Sequence, residues 1–64
     1  MIVIETKYTF ETKSTNIDTR INKELKELQK LDLFKLIDIK YCETHQGTKS
    51  ITTALIIYQA NKME

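Results

Sequence analysis

Proline is absent from the 64 residues, and glycine and cysteine occur once each, at Gly47 and Cys42. Those absences argue against linkers, low-complexity segments and internal repeats. A single thiol rules out a disulfide within the chain. One Cys and one His, His45, cannot supply the four ligands of a structural zinc. Neither sign of charge dominates, with ten Lys and Arg against nine Asp and Glu. The chain therefore has no strong electrostatic bias toward nucleic acid or an anionic membrane. Its longest apolar run, "ALIIY", is far too short to span a bilayer. The opening "MIVIETK" has neither the basic n-region nor the long h-region of a signal peptide. A free thiol without an export signal leads to an expectation of a cytoplasmic protein in a bacterial cytosol.

What is present describes a small globular domain. Apolar residues make up 41% and charged residues 30% of the chain, a composition that folds rather than remains disordered. Residues 1–64 form one domain. A domain of this size buries only about 60% of its unfolded surface and is marginal without a staple. With an internal disulfide excluded and zinc not expected, a partner chain is the expected source of further burial.

The chain changes period along its length. "MIVIETKYTF" alternates, with Ile2, Ile4, Tyr8 and Phe10 against Val3, Glu5, Lys7 and Thr9, and predicts a half-buried strand. "ETKSTN" breaks that pattern. In "TNIDTRINKELKELQKL", Ile17, Ile21, Leu25 and Leu28 recur at helical steps and make one apolar stripe. Thr15 with Asp18 has capping-box spacing, and Ser14 or Asn16 could cap instead. "LDLFK" is either a further helical turn or the return loop. "LIDIKYCE" alternates again, and "THQGTK" with Gly47 reads as a hairpin loop. The last segment, "ITTALIIYQA", is apolar on both faces.

The order is β-α-β-β. A doubly apolar strand belongs in the middle of a sheet, and strands with one charged face belong at its edges. The expected fold class is α+β: a three-stranded sheet of order 1-3-2 with one amphipathic helix on one face. The helix is expected to cover Ile2, Ile4, Tyr8 and Phe10, with Ile37, Ile39 and Tyr41. Glu5, Lys7, Asp38 and Lys40 would then rim an apolar centre on the other face, the anatomy of an interface. Leu55, Ile56 and Ile57 are the expected interface residues, in a homo-oligomer of two or more copies.

No catalytic or metal-binding constellation stands out, and neither enzyme activity nor a cofactor is expected. Cys42 and His45 suggest a thiolate–imidazolium pair only by proximity, with no third member identifiable. "THQGTKS" has a Gly, a Lys and hydroxyls without P-loop spacing, yet a hairpin tip offers amides and Lys49 to an anion. Tyr8, Tyr41 and Tyr58 could stack on a base, while Arg20, Lys40 and Lys49 could hold phosphates.

"IDIKY" at Ile37 to Tyr41 and "ALIIY" at Ala54 to Tyr58, behind the "INKELKEL" helix, resemble a family of small bacterial proteins. These are the roughly sixty-residue sporulation proteins of bacilli, made under an early mother-cell sigma factor, and similar short phage proteins. The resemblance implies a fold and a host range but no reaction. Small phage proteins of this size also include counter-defence inhibitors that sequester immune signalling nucleotides between subunits. By that analogy the expected function is non-enzymatic. It would sequester a small anionic ligand, such as a cyclic dinucleotide or an ADP-ribose derivative, at a subunit boundary. The alternative is a protein–protein adaptor or inhibitor docking on a host or sporulation protein. Membrane and nucleic acid are not expected partners.

Overall fold

The computed structural model describes residues 1–62. The elements run β1 (Ile2–Phe10), α1 (Ile17–Leu28), β2 (Lys35–Gln46) and β3 (Lys49–Asn61). The strands form one antiparallel sheet in the order β1-β3-β2. The doubly apolar strand is thus the central one, as its pattern requires. Among the described residues no helix is long and apolar enough to cross a membrane.

Local chemistry sets the element ends. Asn16 is the residue that caps α1, its side-chain oxygen accepting from the Thr19 N–H at 2.8 Å. Asp18 in the first turn and Lys26 in the last complement the helix dipole. Residues 29–34 form the return connection, and Leu33 takes a left-handed φ of 55°. Asp32 ties this connection to the end of β3: its carbonyl accepts from the Asn61 N–H, and its carboxylate from the Asn61 amide, both at 2.9 Å. Gln46 pairs with Lys49, so the β2–β3 loop is only Gly47 and Thr48. Gly47 has φ 64°, the positive value that a two-residue hairpin turn demands at its first position.

The helix rests on β1 and β3. Its stripe of Ile17, Ile21, Leu25 and Leu28 packs against Ala54, Ile56, Tyr58 and Ala60 of β3, with Phe34 and Ile39 alongside. Small residues at 54 and 60 let the helix approach the sheet, and Ile56 between them is 0% exposed. Full burial of a side chain of this size contributes about 1.5–3 kcal/mol.

Residues opposite each other in an antiparallel ladder share a face. Val3, Glu5, Lys7 and Thr9 pair with Ala60, Tyr58, Ile56 and Ala54, so the charged face of β1 lies on the helix side. Ile2, Ile4, Tyr8 and Phe10 lie on the open side. This reverses the orientation expected from apolar content. The reason is that β1 is an edge strand, where charges beneath the helix can reach out to partners. Lys7 approaches Glu24 of α1 at 3.9 Å, and Glu5 accepts from the Tyr58 hydroxyl and the Lys62 amine, both at 3.1 Å.

A second departure lies in β2. The register slips between Leu36 and Asp38, and Ile37 is the extra residue of a β-bulge. Leu36 therefore joins Ile39 and Tyr41 on the helix side, whereas strict alternation puts Ile37 there. Asp38 and Lys40 keep their expected place on the open face.

Candidate functional site

The open face is built in cross-strand layers. Ile4, Gln59 and Lys35 lie in one, then Thr6, Ile57 and Asp38, then Tyr8, Leu55 and Lys40, then Phe10, Thr53 and Cys42. One side of this face is apolar and uncovered: Ile4 is 59% exposed and Tyr8 58%, with Ile2 and Phe10 also exposed. Tyr8 and Phe10 place their ring centroids 6.2 Å apart. The other side is polar, and Lys40 meets Asp38 at 3.3 Å. In the centre Leu55 and Ile57 are half-buried. Thr53 donates to the Cys42 carbonyl at 3.1 Å and is buried.

Ile56 does not belong to this surface. Neighbours along a strand point to opposite faces, so Leu55 and Ile57 face outward while Ile56 lies beneath the helix. Of the three residues expected at an interface, Leu55 and Ile57 thus lie on the open face beside the apolar row of β1, and Ile56 does not.

At one end of the face, where β1 stops and the β2–β3 hairpin continues, is a depression of about 640 Å³. Phe10, Glu11, Lys13, Lys49 and Ser50 are among its lining residues. The Arg20 guanidinium lies 5.4 Å from the centroid of the Phe10 ring, a cation–π distance. Its Nε is shielded from solvent and has no hydrogen-bond partner among the described residues. Phe10 also lines a second depression of about 310 Å³ with Tyr8, Thr44, Ile51 and Thr53. The Glu11 carboxylate accepts from the Thr52 N–H at 2.6 Å and closes the ladder where β1 ends.

The six residues expected to bind a ligand do not converge within one chain. Tyr8 and Lys40 lie on the open face, and Lys49 and Arg20 flank Phe10 at its end. Tyr41 is exposed on the helix side, beyond the reach of α1. Tyr58 is a core residue, its ring 5.9 Å from Phe34 and its hydroxyl donating to Glu5. Burial first, then the hydrogen bond to Glu5, pushes the Tyr58 phenol above its usual range. Hydrogen bonds from Lys62 first and Tyr58 second hold the Glu5 carboxyl below the usual carboxylate range.

Phe10 and Lys13 are the members that sequence reasoning missed. The signal was the aromatic residue closing the alternation just before a polar loop. Cys42 and His45 pair with Thr53 and Ser50 and so stand on opposite faces of the sheet, which removes the thiolate–imidazolium pair. No group of three potential metal ligands occurs among the described residues.

No family model, curated protein or solved structure matches the chain.

Proposed function

We propose that the protein is a non-enzymatic binding module that holds a small anionic ligand at the boundary formed when its open sheet face is covered. Phosphate-bearing nucleotides, cyclic dinucleotides or ADP-ribose derivatives, are the ligand class, and sequestration is the mode of action. The observation that carries this reading is the position of Phe10. Its ring ends the apolar row, stacks with Arg20 and lines the depression that Lys13 and Lys49 flank. Three cations around this ring suit a phosphate, and the one carboxylate in the depression, Glu11, is engaged by the Thr52 N–H. Calorimetry with a panel of such nucleotides tests it. Binding at micromolar or lower concentration, weakened at least tenfold by Lys49→Glu, is expected. Absence of any binder below high micromolar concentration overturns it.

The exposure of Ile4 and Tyr8 favours a second reading, an adaptor that docks on another protein by the same face. A stoichiometric complex with one host protein, lost on Leu55→Asp, supports that reading over the first.

A further inference from the structure

The open face has an internal symmetry. Between the layer of Thr6, Ile57 and Asp38 and the layer of Tyr8, Leu55 and Lys40, a two-fold axis can cross the sheet perpendicular to the strands. That axis sets Ile57 against Leu55 of a second copy, Thr6 against Tyr8, Ile4 against Phe10, and Asp38 against Lys40. Thr6 and Ile4 meet the larger Tyr8 and Phe10, the two aliphatic residues of the central strand meet each other, and Asp38 meets the opposite charge of Lys40.

We infer that this face is covered by a second copy of the chain in that register, as a two-fold sheet-on-sheet sandwich. The inference rests on the reading of the open face as a covered surface. Area supports it. The chain exposes 4917 Å², whereas a compact monomer of 7.5 kDa exposes roughly 4,250 Å² by size scaling. The excess, on the order of 700 Å², is close to the ~800 Å² that each partner buries in a standard interface. Aligned sheets pack about 10 Å apart, within reach of the side chains assigned to meet. The free edge of β2 is a poorer site for a second copy, because the bulge at Ile37 interrupts its ladder. The pairing also completes the smaller depression: Ile4 of the second copy is set against Phe10, roofing the hollow between Tyr8, Phe10 and Ile51.

A charge-swap mixture tests the register. Asp38→Lys opposes lysine to lysine across the axis, and Lys40→Asp opposes aspartate to aspartate. Either variant alone is expected to dissociate with a Kd raised on the order of 100-fold, since like charges in contact cost several kcal/mol. Mixed one to one, they restore both cross-pairs, and native mass spectrometry finds one chain of each. An intrachain Asp38–Lys40 pair cannot be repaired by mixing, so failure to restore overturns the register. Both positions are exposed, and circular dichroism checks that each variant folds. Lys35→Cys gives a readout independent of them: the axis sets it against Cys42 of the second copy. A short bis-maleimide links that variant into dimers and leaves the wild type, whose Cys42 residues lie three layers apart, unlinked. A linked wild type overturns the register, as does a dimer that survives Leu55→Asp. A monomeric wild type whose face binds an apolar dye, with binding lost in Leu55→Asp, overturns the pairing and spares the open-face reading. A monomer that binds no dye sinks both.

Discussion

The two faces of the sheet draw on the same strands and treat them oppositely. Beneath the helix, β3 offers Ala54, Ile56, Tyr58 and Ala60, all buried, and the flanking charges of β1 are paired. On the open side the same strand offers Leu55 and Ile57, only half-buried, beside the exposed apolar row of β1. The larger apolar side chains of β1 are thus on the uncovered face. The helix selects its side by fit to the central strand, whose alanines leave it room. The edge strand's charges are tolerated because they reach partners at the margin.

Neighbouring substitutions on β3 sharpen this contrast most. Ile56→Asp puts a charge beneath the helix with no partner and is expected to cost about 4 kcal/mol or more, enough to abolish cooperative unfolding in a thermal melt. Leu55→Asp, one residue away and half-buried, is expected to cost the protomer about 1–2 kcal/mol while removing self-association in sedimentation. Equal outcomes for the two would break the contrast. Asn16→Ala removes the cap that starts the covering helix, with an expected loss of about 1 kcal/mol in urea denaturation.

The charges on the covered face have a pH signature. Glu5 has a lowered folded pKa, so its contribution is present above the ordinary carboxylate pKa and is lost as pH falls through the folded value. Tyr58 has a raised one, so its contribution is intact below pH about 10 and is lost as pH rises further. Glu5→Gln is expected to flatten part of the acid limb of a stability-against-pH curve and to leave most of the alkaline limb. Unchanged acid dependence would show that Glu5 is not coupled to Lys62 and Tyr58. The smallest expected effect lies outside both faces. Leu33→Gly relieves a left-handed φ but adds unfolded-state entropy, a net gain of about 0.5 kcal/mol readable as a small rise in Tm.

The strand order was legible in the sequence because "ITTALIIYQA" is apolar at both parities, which only a central strand can use. The helix stripe and the Gly47 turn were legible for similar local reasons. Which face of β1 turns toward the helix was not. Period-two alternation says which residues share a face, and a one-residue difference in entry exchanges the faces. The bulge at Ile37 went unread because "IDIKY" alternates cleanly after it, and its one signal was the consecutive apolar pair Leu36 and Ile37 at the strand's start. Of the candidate site, Lys49 and Arg20 were legible as cations. Their relation to Phe10 depends on where β1 ends relative to the longer hairpin, a tertiary fact. Tyr58 was misplaced because a tyrosine's pattern does not distinguish a ligand platform from a core ring with a hydrogen-bonded hydroxyl.

The surplus residue at Ile37 also bears on growth. An uninterrupted outer lane of twelve residues could template copy after copy into a ribbon without end. A kink in that lane breaks the template, so recruitment through the β2 edge is disfavoured. A sheet that cannot extend through this lane is one that resists growing strand by strand.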